Sequence, residues 1–88
     1  MKIIKIGAVW CPGCLFMKKI WNNIIKNNNL DILELDYDID NEEVNKYNVG
    51  KVLPVVIFID KGGNELERLI GEQKESNLME VINKYRGM

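Results

Sequence analysis

The sequence predicts an α/β fold, β-α-β-α-β-β-α, built on a central four-stranded mixed sheet flanked by helices. Three observations carry that prediction. Short β-prone runs alternate with apolar stripes at helical spacing. The last two strands are separated only by the turn Asp60-Lys61-Gly62-Gly63-Asn64, whereas a whole helix lies between the first two. No repeat, linker or low-complexity stretch interrupts the 88 residues, so residues 1–88 are expected to form one domain around one core. A helical crossover makes the first pair of strands parallel and a hairpin makes the last pair antiparallel, with helices on both faces.

The elements follow in order. Lys2 to Ile6, rich in isoleucine, reads as the first strand, and Gly7-Ala8-Val9 leads out of it. From Pro12 the pattern changes to Leu15, Phe16, Met17, Ile20, Trp21, Ile24 and Ile25, a broad apolar stripe at helical spacing in which Trp21 is a core residue. Pro12 suits the first turn, because the N–H it lacks has no intrahelical partner there. Asn27-Asn28-Asn29 ends this helix, and Leu30 to Leu35 sets Leu30, Ile32, Leu33 and Leu35 among acidic residues as a second strand does. Asp40-Asn41-Glu42-Glu43 reads as an N-cap with its capping-box partner, opening a short helix to about Tyr47. After the connector Val49-Gly50-Lys51, the run Val52 to Ile59 is the most β-prone of the chain, and Glu65 to Ile70 completes the hairpin. Leu78, Val81, Ile82 and Tyr85 mark a final amphipathic helix, with Gly87 placed to stop it.

Composition excludes several classes. With 12 basic and 13 acidic residues, a net charge of −1 and no block of like charge, neither nucleic acid nor an anionic membrane is implied as a partner. No stretch approaches membrane-spanning length, and Met1 to Gly7 lacks the long apolar core of a secretory signal; a cytoplasmic monomer is expected. Histidine is absent, which leaves sulfur, carboxylate and lysine as the reactive groups.

The only cysteines, Cys11 and Cys14, stand in Val9-Trp10-Cys11-Pro12-Gly13-Cys14, at the junction of the first strand and helix. A disulfide between them closes too short a loop to staple a fold. Tetrahedral zinc needs four ligands, so a metal or iron–sulfur module would have to share Cys11 and Cys14 across a dimer. Two incidental buried cysteines are the bland alternative. Redox chemistry is the reading that uses the placement. Cys11, at the helix start, is expected to present its thiol to solvent where the helix dipole and free N–H groups favour thiolate, and to attack; Cys14, one turn inside, resolves the mixed disulfide. Trp10 forms a flat apolar wall beside Cys11 or is simply a packing residue.

The element order, the segment Trp10-Cys11-Pro12-Gly13-Cys14, Leu53-Pro54 before an apolar strand and Gly71 after the hairpin together resemble the thioredoxin-like superfamily. The resemblance covers nearly the whole chain, without the extra N-terminal strand and helix of full-length thioredoxins; in length the chain is similar to a glutaredoxin or a minimal archaeal-type thioredoxin. It implies a thioredoxin-like fold and a thiol–disulfide oxidoreductase that reduces protein disulfides, with no bound cofactor beyond the redox-active Cys11–Cys14 disulfide. It also implies disulfide-containing proteins as substrates and a thioredoxin reductase-like flavoprotein as electron donor. By the same resemblance Pro54 is cis and faces the dithiol, Leu53 offers its backbone to substrate, and Gly71 lets a substrate chain approach. Each has a plain alternative, a proline beginning an edge strand and a turn glycine.

The chain departs from that pattern in three places. Thioredoxins generally read Cys-Gly-Pro-Cys; here Pro12 precedes Gly13, and Pro12 is shared with the glutaredoxin pattern Cys-Pro-Tyr-Cys. Both residues tune the dithiol, and Gly13, having no side chain to stabilise thiolate, favours a reductant. Thioredoxins commonly place a buried acid six residues before the first cysteine to manage the resolving thiol's proton, and Lys5 stands there. Lys5 is then a neutral proton acceptor, a cation paired with Glu34 or Asp36, or a solvated strand-end lysine. Finally, a glutathione-dependent, glutaredoxin-like activity is the alternative reading. The chain matches that family's tripeptide site poorly, since Gly62-Gly63 lies in the hairpin turn and Ile70-Gly71-Glu72-Gln73-Lys74 follows it; Lys18 or Lys19 remains to attract glutathione carboxylates.

Overall fold

Strands form where β-branched residues concentrate, and helices where the apolar period lengthens. The computed structural model describes residues 1–88 as β1 (Lys2–Gly7), α1 (Pro12–Asn27), β2 (Asp31–Asp36), α2 (Asn41–Asn45), β3 (Val55–Ile59), β4 (Glu65–Ile70) and α3 (Glu75–Tyr85). The sheet order is β2-β1-β3-β4. β1 pairs parallel with β2 and antiparallel with β3, and β3 pairs antiparallel with β4, which is the mixed sheet that the connections predict.

Because strand side chains alternate, the two central strands feed two cores. Ile3 of β1 and Val56 and Phe58 of β3 pack with Met17, Trp21 and Ile24 of α1 and with Leu78, Val81 and Ile82 of α3. Ile4, Ile6, Val55 and Ile57 face the other way, onto Leu35 and Val44 of α2. Lys5 falls in the alternation on the α1 side, between Ile3 and Gly7, so a charged residue sits where the pattern asks for a core residue. Phe58, wholly buried at the junction of α1, α3 and the sheet, holds this layer; its replacement by alanine costs about 3–5 kcal/mol.

Several boundaries and contacts differ from expectation. Only Met17, Trp21 and Ile24 of the broad stripe are buried, whereas Leu15, Phe16 and Ile25 are exposed, because a helix lying on a sheet covers a narrower arc than the stripe spans. The capping box does not form. Asp40 is the N-cap residue of α2 but makes no capping bond; its carboxylate accepts the Asp36 N–H at 2.8 Å instead, and α2 ends at Asn45 rather than Tyr47. β3 begins at Val55, after a cis Leu53–Pro54 peptide. Gly87 adopts φ +94°, the left-handed conformation expected of a helix stop. No helix is long and apolar enough to cross a membrane.

Candidate active site

Where β1 ends, the chain turns through Ala8 to Trp10 and enters α1 at Cys11, whose N–H donates to the Ala8 carbonyl at 3.1 Å. Cys11 is the N-cap residue, with φ −91° and ψ 111°, and Pro12 follows as the first helical residue. A cysteine thus stands where Ser, Thr or Asp usually accepts a free N–H of the first turn. Its Sγ accepts the backbone N–H of Cys14 at 3.2 Å. Both cysteines are free thiols. The expectation that Cys11 points to solvent is corrected here: Cys11 is only 4% exposed, and Cys14 is the less buried residue. The reason is the cap itself, since a side chain that satisfies a first-turn N–H folds back over the helix end.

Cys14 is seated against the end of β1. A Cβ on Gly7 would stand 3.0 Å from Cys14 Sγ, so the absence of a side chain at Gly7 makes the seat. Burial, followed by the hydrogen bond with Cys11, pushes the Cys14 thiol from its ordinary 9.0 up to about 11. The same sulfur lines a cleft of about 510 Å³ with Lys5, Lys18, Trp21 and Glu34. Lys5 is not a solvated strand-end residue. Its side chain is 16% exposed and its Nζ lies 3.4 Å from Glu34 Oε1 and 4.9 Å from the centre of the Trp21 ring. Lys5 stands directly opposite Glu34 in the β1–β2 register, which selects Glu34 over Asp36 as its partner. Lys5 is not among the groups that shift the Cys14 thiol.

The hairpin end supplies the opposite wall. Pro54 is buried, and its carbonyl accepts the Gly71 N–H at 2.8 Å. Gly71 has φ +87° with Val52 Cγ1, at 3.9 Å, as the only group near its vacant Cβ position, so conformation rather than crowding requires glycine there. Where a Gly13 Cβ would project, Glu72 Cγ and Oε1 both stand at 3.0 Å and Pro54 Cδ at 3.3 Å. The dithiol loop therefore touches the proline loop at Gly13. Leu53 is half-buried, and its backbone N–H and C=O bond to nothing in the chain.

Trp10 is 57% exposed, so it is not a core residue. Its Nε1 donates to Asp38 Oδ2 at 2.6 Å, and its ring meets Tyr37 edge-on at 6.2 Å. Val9, Leu15, Phe16, Val52 and Ile70, which flank the site residues in sequence, are likewise more than half exposed. Three residues of this site escape a sequence reading. Gly7 leaves only the weak sign of a glycine ending a strand, and Asp38 and Glu72 leave none, being remote in sequence from Trp10 and Gly13.

Two thiols so placed close a disulfide by passing two electrons to another disulfide, and that capacity puts the protein in the class of thiol–disulfide oxidoreductases. Its relatives give the family. The thioredoxin family model matches residues 1–84. Thioredoxin of Staphylococcus epidermidis is 28% identical over 87 residues, spanning 97% of this chain and 82% of that protein; thioredoxin of Staphylococcus aureus is 26% identical over the same shares. Among solved structures, thioredoxin of Fasciola hepatica superposes with a TM-score of 0.86 at 27% identity, over 97% of this chain and 80% of the other. Thioredoxin 1 of Thermosipho africanus superposes at 0.83 and 27%, over 97% and 93%. The chain belongs to the thioredoxin family. It is a protein-disulfide reductase of thioredoxin type, working through the Cys11–Cys14 pair. No three cysteine or acidic side chains converge in the chain, so the metal-binding alternative still depends on ligands from a second chain.

Proposed function

We propose that residues 1–88 act as one monomeric domain that reduces disulfide-containing proteins in the cytoplasm, with electrons from a thioredoxin reductase-like flavoprotein. One observation carries the division of labour: Cys11 Sγ accepts a first-turn N–H, while Cys14 keeps its proton to about pH 11. Exposure alone would assign the attack to Cys14. The proton affinity of Cys14 supports the opposite assignment, since a thiol with that pKa is thiolate in only about one molecule in 10⁴ at pH 7.

In the proposed cycle the Cys11 thiolate attacks one sulfur of the substrate disulfide, forming a mixed disulfide and releasing the other half, which takes up a proton as a thiol. Cys14 then loses its proton and attacks Cys11 Sγ, breaking the mixed disulfide and releasing the second half as a thiol. Two electrons and two protons leave the protein and the Cys11–Cys14 disulfide forms. Substrate lies between the exposed Trp10 ring and the proline loop, over Pro12 and Gly13. The unbonded backbone of Leu53 supplies strand-like hydrogen bonds, Pro54 contributes the surface behind it, and Gly71 leaves room for the chain. Lys5, which shares the Cys14 cleft, is the residue proposed for proton management as Cys14 attacks.

The test is NADPH consumption with insulin as acceptor, once with a thioredoxin reductase and once with glutathione plus glutathione reductase. Turnover with the flavoprotein reductase is expected. Turnover only with glutathione would reassign the chain to glutathione-dependent chemistry.

A further inference from the structure

The carboxylate of Glu72 has no hydrogen bond or ion pair anywhere in the chain, yet it lies on the dithiol loop. Its Cγ and Oε1 occupy the space in front of Gly13, with Pro54 Cδ beside them. Gly13 is the residue between the cysteines that has no side chain, and any Cβ there would meet Glu72. The carboxylate thus stands at the rim with no ion-pair partner, and the residue is exposed. On the other wall the Trp10 indole holds a second carboxylate, Asp38, also exposed. The opposing charges are Lys18, one turn beyond Cys14, and Lys5, paired with Glu34; both line the cleft behind the resolving sulfur, which Gly13 does not line.

A substrate strand aligned with Leu53 would run beside Glu72, whose Cγ and Oε1 stand with Pro54 Cδ in front of Gly13. We propose that Glu72 is a specificity-determining residue that selects disulfides flanked by cationic groups and disfavours anionic ones, glutathione disulfide among them. This rests on the functional reading above and names its substrate class. The effect is electrostatic steering and local complementarity at the rim, where a single uncompensated charge changes relative rates by about three- to tenfold and is weakened by salt.

Three small disulfides of the same skeleton test this: cystamine carries two positive charges, 2-hydroxyethyl disulfide none and 3,3′-dithiodipropionate two negative ones. The rate at which the reduced protein consumes each is measured for the parent, Glu72→Gln and Glu72→Lys, and each charged disulfide is referred to the neutral one. Comparing variants cancels the intrinsic reactivity of the three compounds. The expected result is a cystamine-to-dithiodipropionate ratio that falls about three- to tenfold in Glu72→Gln and further in Glu72→Lys, with the differences shrinking in about 0.5 M salt. Equal ratios in the three proteins would overturn the assignment to Glu72 while leaving the reductase reading intact. Failure of the parent to reduce any of the three while it still reduces insulin would overturn the assignment to Glu72 alone, and failure on insulin as well would overturn both.

Discussion

Cys11 and Cys14 are identical in chemistry and one helical turn apart, yet they meet opposite surroundings. Cys11 has a backbone N–H aimed at its sulfur. Cys14 packs against the bare backbone of Gly7, and its thiol holds its proton to about pH 11. The difference comes from which part of the helix each occupies. The cap position lets the Cys11 sulfur accept the Cys14 N–H, whereas at Cys14 burial against the strand outweighs the backbone hydrogen bonds at Ala8 and Cys14 that favour its thiolate. On the proposed division of labour, this difference in surroundings is what sets Cys11 to attack and Cys14 to resolve.

The most severe way to break this asymmetry is to remove each sulfur in turn. Cys11→Ser is expected to bring disulfide reduction to background, whereas Cys14→Ser completes the first attack and then stalls, accumulating mixed disulfides visible by mass spectrometry of the intact protein. Trapping by Cys11→Ser instead would reverse the roles.

A smaller perturbation is Gly7→Ala. Its methyl group would arrive 3.0 Å from Cys14 Sγ, and overpacking of this kind costs about 1–3 kcal/mol. Chemical denaturation should show that loss, and the mixed disulfide should live longer because the resolving sulfur has been displaced. Gly50→Ala, at a position with nothing within 4 Å, serves as the control and should change neither.

Titration sharpens the same contrast. The unfolded chain releases the Cys14 proton near 9.0 and the folded chain only near 11, so between those values the folded state binds more protons and stability falls as pH rises. Relative to Cys14→Ser, the dithiol protein is expected to lose about 1 kcal/mol between pH 8 and pH 11 in denaturation experiments, solvent screening at this partly exposed thiol reducing the full effect. Parallel curves for the two proteins would remove the burial of Cys14 from the explanation.

The least effect is expected from Lys5→Met. An ion pair with the largely exposed Glu34 contributes under about 1 kcal/mol, and a charge acting across a wet cleft alters the resolving step about twofold. Stopped-flow lifetimes of the mixed disulfide measure this; an unchanged lifetime would exclude Lys5 from proton management.

Much of this molecule is legible residue by residue, because the signals are local. The Ile-rich run of β1, the turn at Gly62-Gly63 and the spacing Leu78-Val81-Ile82-Tyr85 each place an element within a residue or two of its position. The spacing of Cys11 and Cys14 at a strand-to-helix junction points to the chemistry, and Pro54 and Gly71 fall where the resemblance sets them. Less legible is which side of an element is covered. Periodicity marks Leu15, Phe16 and Ile25 as apolar on a helix, but only the position of α1 on the sheet leaves them exposed.

What the sequence by itself determined is therefore the order of elements, the mixed sheet and the presence of a dithiol at a helix start, since propensity, period and turn chemistry act over a few residues. The tertiary structure alone decided the pairing of Lys5 with Glu34 rather than Asp36, the tie between Trp10 and Asp38, and the approach of Glu72 to Gly13. The Lys5–Glu34 pair depends on strand register, which a shift of one residue would break, and the other two on how loops remote in sequence close over one end of the sheet.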